Sequence, residues 1–148
     1  MSTVYNVIRV KCYSTHQEEG IATVATTPGM LVRRHTNETS WRPHNVAGAV
    51  CAKSIALEDS MQGNEIDDDY AIGDPVHIHH ALPGDIVNML LTTNQTIVVD
   101  DLLVSTGDGT LKKATAEVGL QIVGKAIQAL DTTDSLITTP QRILVQII

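Results

Sequence analysis

The sequence predicts an all-β chain: a compact β-sandwich or barrel of about ten short strands, with at most one short helix. Three observations carry that expectation. Aromatic residues make up only 3% of the 148 and Phe is absent, so the core has to be built from Val, Ile, Leu and Ala, with Thr frequent around it. Apolar runs are short and recur at ~8–12-residue spacing. Turn-forming pairs stand between them. The length suits one domain that buries ~70% of its unfolded surface and needs no metal or disulfide to fold. Hydrophobic residues at 43% against charged ones at 18% exclude a disordered chain.

Taken in order, residues Val4 to Tyr13 read as a strand, with Val4, Ile8, Val10 and Cys12 on one face and Arg9 and Lys11 on the other. The polar run Ser14 to Gly20 breaks it. Ile21 to Val24 is apolar, Pro28-Gly29 turns, and Met30 to Val32 is a short strand. Arg33 to His44 is polar and reads as an exposed loop. Val46 to Leu57 reads as a buried strand. Glu58 to Gln62 fits one helical turn ended by Gly63. Pro75 to Leu82 is a strand with Val76, Ile78 and His80 on one face and His77 and His79 on the other. Pro83-Gly84-Asp85 turns into Ile86 to Leu91, and Asn94-Gln95 marks the next corner. Thr96 to Ser105 is a strand interrupted at Asp100-Asp101. Gly107-Asp108-Gly109 is the strongest turn signal, placed between β-prone runs. Leu111 to Ala116, Gly119 to Ala129 and Arg142 to Ile148 supply the last strands.

Charge is distributed unevenly. Residues 1–53 hold six basic and three acidic side chains, 54–111 hold eleven acids and no Lys or Arg, and 112–148 hold four basic and three acidic, together the net −7. An acidic middle between basic ends suits self-association; it equally suits acids that sit in solvated turns. Nucleic acid is a poor partner for such a chain. No apolar run reaches the ~18 residues of a membrane span. Met1 to Arg9 lacks the pattern of a signal peptide, so synthesis in a reducing cytosol is expected, with Cys12 and Cys51 as small buried thiols. The sequons at Asn37 and Asn94 are then accidental.

Catalytic signatures are sparse. There is no phosphate-binding Gly loop, no nucleophile elbow and no CxxC. His77 and His79 would lie ~6–7 Å apart on one strand face and could hold a metal if Asp74 or Asp85 approached; they equally suit a polar, solvent-facing or interface-facing strand edge. Arg33, Arg34, Trp41 and Arg42 form the one basic patch with an aromatic, either a binding hot spot or a solvated loop with Trp41 folded onto the core. Two catalytic or carrier readings therefore stay open: a metal-dependent β-barrel enzyme using His77 and His79, and a lipoyl-type carrier. The second would need a Lys at the hairpin tip, where this chain has Asp108-Gly109 with Lys112 and Lys113 further along.

An ordered set of motifs adds a resemblance. Ala56-Leu57-Glu58-Asp59, Gly63, Ile66-Asp67-Asp68-Asp69-Tyr70, Gly73-Asp74-Pro75-Val76, Pro83-Gly84-Asp85, Val87-Asn88, Leu90-Leu91, Gln95-Thr96-Ile97, Leu102-Leu103, Gly107-Asp108-Gly109-Thr110-Leu111 and Val123-Gly124-Lys125-Ala126 together resemble the phage capsid decoration, or head cement, proteins. The resemblance covers roughly Gly20 to Asp131, and departs from the family's usual Gly-Asp at Asp100-Asp101. It implies a β-tulip-like fold over residues 21–148, with 1–20 as an N-terminal strand or arm. It further implies a homotrimer on the outside of an icosahedral head, made in the host cytoplasm, that braces the major capsid protein of the expanded shell. Catalysis, cofactor and metal are not implied. The residues expected to make the contacts are Val4, Tyr5, Val7, Arg9, Arg33, Arg34, Trp41, Arg42, His77 and His79.

Overall fold

The computed structural model describes residues 5–13 and 15–148, so Val4 lies outside the described residues. Among them, every regular element but one is a strand. The strands are β1 (Arg9–Lys11), β2 (Gln17–Ala22), β3 (Val32–Arg34), β4 (Ser40–Pro43), β5 (Ser54–Ala56), β6 (Pro75–His80), β7 (Ile86–Leu91), β8 (Thr96–Ile97), β9 (Leu102–Ser105), β10 (Leu111–Lys113), β11 (Gly124–Ala126), β12 (Leu130–Asp131) and β13 (Gln141–Ile147). The exception is a 3-10 turn, Ser60–Gln62, closed by Gly63 at φ +77°. The all-β expectation holds, with thirteen strands in place of about ten.

Both main sheets close on themselves. In the larger, the order β1-β7-β10-β9-β11-β13 returns through a β13–β7 pairing, which makes a five-stranded barrel with β1 laid against β7. In the smaller, the order is β3-β4-β2-β6-β5, and a bridge between Leu31 and Ile55 joins its two ends. A two-stranded ribbon of β8 and β12 lies beside them. The small barrel is thus an excursion of the chain between β1 and β7 of the large one. The chain passes between the barrels twice, from β1 to β2 and, through 81–85, from β6 to β7. Gly20, the expected boundary of an arm, lies inside β2, which pairs with both β4 and β6.

Alternation fills the large barrel. Val87, Met89 and Leu91 of β7 face the same core as Ile143, Val145 and Ile147 of β13, in the register Met89 opposite Ile143 and Val87 opposite Val145. Leu103, Leu111, Val123 and Ile97 complete an aliphatic interior. Leu31, Ile55 and Leu57 from the small barrel's side join it, so the two barrels share a continuous apolar contact. The small barrel has its own centre: Ala22, Val32, Trp41, Ala56, Tyr70, Val76 and Ile78. The Tyr70 hydroxyl donates to the Leu57 carbonyl at 2.6 Å, which satisfies its polar end.

Three sequence expectations are corrected. The polar runs Gln17-Glu18-Glu19 and Arg33 to His44 are not break and loop but β2 and the β3–β4 hairpin. Of the expected strand Val46 to Leu57, only Ser54–Ala56 is extended. The turn at Asp100-Asp101 forms despite the missing glycine. Asp100 takes φ +74°, the left-handed region Asp tolerates better than most side chains, and Asp101 Oδ2 accepts the Val98 N–H at 2.9 Å.

Candidate functional site

The small barrel carries the polar chemistry. On β2, Glu18, Gly20 and Ala22 alternate inward, opposite Ile78 and Val76 of β6. A Cβ on Gly20 would collide with the Trp41 indole and the Thr39 carbonyl, so glycine is what lets Trp41 lie flat across β2. Arg34 covers the indole with its guanidinium carbon 4.5 Å from the ring centre. Its two terminal nitrogens reach both oxygens of Glu18, at 2.7 and 3.2 Å, and the Glu38 carbonyl. Glu18 in turn meets His80 Nε2 at 2.6 Å, and His80 Nδ1 faces Ser54 Oγ at 3.1 Å. Partial burial works against the charge of Glu18, but the hydrogen bonds from Arg34 and His80 outweigh it and hold the carboxyl below its ordinary value.

The hot-spot question raised by Trp41 is answered by its position: it is 3% exposed and belongs to the core. Arg33 and Arg34 are exposed beside it and Arg42 is half-buried. Arg33 donates to Asn45 Oδ1 at 3.1 Å.

His77 and His79 share a face of β6 but not a site. His77 lies between Gln17 and Asp59, with Gln17 Nε2 3.2 Å from its Nδ1 and Asp59 Oδ1 3.4 Å from its Nε2. It lines a cleft of about 680 Å³ with Glu19, Asp59, Asp69, Asp74 and Tyr70. His79 was expected on an exposed edge; it is fully enclosed, with Nε2 3.2 Å from Asp85 Oδ2. Burial, the larger influence, holds this imidazole below its ordinary pKa against the pull of Asp85. The two histidines therefore converge on no common metal position. Among the rest of the expected contact residues, Tyr5 offers its carbonyl to Asn88 Nδ2, Val7 is exposed, and Arg9 donates to Thr15 O and Gln17 Oε1.

The acidic middle has two fates. Several acids cap their own turns: Asp68 accepts the Glu65 N–H, Asp74 the Ala71 N–H, and Asp108 the Thr110 N–H and the Thr106 and Thr110 hydroxyls. Burial raises the cost of charge at Asp108, yet these donors together keep its carboxyl below the ordinary range. Others find partners elsewhere: Asp59 and Asp69 line the cleft around His77, Asp85 is enclosed beside His79, and Asp67, Asp100 and Asp101 pair with Arg142, Lys125 and Lys113. Sequence reasoning missed Glu18 and also His44, whose ring is held between Ser105 Oγ at 2.7 Å and the Val50 carbonyl at 3.1 Å. A period-2 pattern running Glu18, Gly20, Ala22 was the available signal, hidden by the polarity of its neighbours.

No protein-family profile matches the chain, and no curated protein sequence matches it. Among solved structures it is similar to the N base of the head fiber gp8.5 in bacteriophage phi29, with a TM-score of 0.58 and 12% identity over 90% of this chain and 93% of that one. At that identity the likeness is one of fold, and it runs nearly end to end.

Proposed function

We propose that this chain is a structural protein of a phage virion that works by adhering to the head and transforms no molecule. The observation that carries this reading is the near-complete overlap of its fold with the base of a phage head fiber. The decoration-type order of turn motifs supports the finer reading: a homotrimer on the outer face of the expanded shell, bracing the major capsid protein.

The small barrel supplies a contact surface of the right chemistry. Arg33 and Arg34 are exposed on the β3–β4 hairpin, while Glu19, Asp59, Asp69 and Asp74 line the cleft with Met61 exposed at its side. A basic hairpin of one copy meeting the acidic cleft of the next is a head-to-tail contact, and such contacts close into a ring when the rotation between copies closes, as a trimer requires. A durable contact of this kind buries at least about 1,000 Å² in total. Three equivalent attachments on one particle then reinforce one another through effective concentration.

The test mixes purified protein with expanded heads that lack it and sediments the particles. Saturable co-sedimentation at a fixed ratio to the shell subunit is expected, with a trimer seen by light scattering in the free or bound form. Heads that sediment without the protein at stoichiometric mixing overturn the reading.

A further inference from the structure

We propose that Cys12, His79 and Asp85 form a divalent-metal site, best suited to Zn²⁺, that clips the two barrels together. One ligand atom from each residue lies within 4.8 Å of the other two. The set joins a thiol, an imidazole and a carboxylate, the three donor types that zinc accepts, with Zn–S ~2.3 Å and Zn–N or Zn–O ~2.0–2.2 Å. A tetrahedral ion with those bonds needs its ligand atoms roughly 3.3–3.8 Å apart. His79 Nε2 and Asp85 Oδ2 already stand at 3.2 Å. Cys12 is the ligand that has to swing in. It is half-buried, just past the end of β1; its thiol makes a long 3.8 Å contact to the Ile86 carbonyl, and burial followed by the neighbouring Asp85 carboxylate push its pKa up to about 11, so a metal would have to displace the thiol proton.

The carboxylate is held in advance. Asp85 Oδ1 accepts the Tyr13 N–H at 2.8 Å and Oδ2 accepts the Leu82 N–H at 3.0 Å, the kind of outer support that fixes a ligand's orientation. Asp85 and His79 are both fully enclosed, so their side chains meet away from solvent. Arg9, the cation whose field reaches this corner, commits its guanidinium to Thr15 O and Gln17 Oε1. A groove of about 500 Å³ lined by Lys11, Cys12, Tyr13, Gly84, Ile86 and Gln146 brings solvent to Cys12, while His79 and Asp85 lie behind it.

Position gives the site its role. Cys12 lies on the link from β1 to β2, His79 on β6, and Asp85 on the link from β6 to β7. An ion bound there ties both crossings of the chain between the barrels to the small barrel's wall.

The experiment uses the full chain, purified without an affinity tag and freed of metal with chelator. Titration with Co²⁺ is expected to give a thiolate-to-cobalt charge-transfer band that saturates at one ion per chain and is displaced by Zn²⁺. Zn²⁺ at about 100 times its dissociation constant is expected to raise the melting temperature by roughly 5 °C or more. Cys12→Ser should fold, lose the band and lose the Zn²⁺-induced shift; His79→Gln with native circular dichroism should lose both as well. The proposal is overturned if the wild-type chain shows no band, or if the band persists in Cys12→Ser and vanishes in Cys51→Ser. Free protein suffices for every arm, so the outcome does not depend on attachment to heads.

Discussion

The two barrels solve the same closure problem with different materials. The large one is filled with aliphatic side chains in strict alternation, Val87, Met89 and Leu91 against Ile143, Val145 and Ile147. The small one is closed around a tryptophan laid on a glycine, and one end of it is built from Glu18, His80 and Arg34. The first arrangement is stiff and offers little for chemistry. The second keeps ionisable groups at its wall, and it is there that the proposed contacts between copies would form. Trp41 and Tyr70 take up in the small barrel's centre the volume that aliphatic side chains fill in the large one.

That comparison can be broken most directly through Leu103, which is fully enclosed in the large barrel. Leu103→Ala should cost about 3–4 kcal/mol in urea unfolding, and the transition should stay single because Leu31, Ile55 and Leu57 bind the two cores together. Two separated transitions would make the barrels independent units. Arg142 comes next. From β13 it donates to the carbonyls of Pro28 and Ile66 and pairs with Asp67 at 3.2 Å, pinning two loops to the large barrel. Arg142→Met keeps the stem but leaves part-buried carbonyls without their donor, so a loss of about 2 kcal/mol is expected in the same assay. Arg34→Met in the small barrel should cost no more than about 1 kcal/mol, because the pair with Glu18 is substantially exposed; added salt should shrink the cost further. A cost rivalling that of Leu103→Ala would mean the polar end carries the small barrel.

The smallest effect concerns the β9–β10 hairpin. Asp108 has a folded-state pKa below its unfolded value of about 3.9. Its contribution is therefore complete above that unfolded value and disappears as pH falls through the lower, folded one. Asp108→Asn should flatten the acid limb of the stability profile and leave its neutral-to-alkaline part parallel to wild type. An unchanged acid limb would show that the threonine hydroxyls, not the carboxylate charge, hold the turn.

Legibility followed the same division. In the large barrel the strands Ile86 to Leu91, Leu111 onward and Arg142 onward announce themselves, since apolar residues fall on one face and glycines or Asn94 mark the corners. The small barrel hid β2, β3 and β4, because a three- to six-residue strand with Glu, Arg or Gln on its outer face has too few apolar positions to show a period. The alternation within Pro75–His80 was readable, but not that His77 and His79 face different neighbours. That depends on which loop approaches each of them, Asp59 before the 3-10 turn for one and Asp85 in the next crossing for the other. Cys12 read as a small hydrophobe; only the return of residues 81–85 gives it polar company.

Closure has one more consequence. The strands left with an open side, β1, β8 and β12, are two or three residues long, too short to template a foreign strand. Among the described residues, copies crowded side by side would meet few open main-chain edges to zip together, which leaves most of any contact between them to side chains.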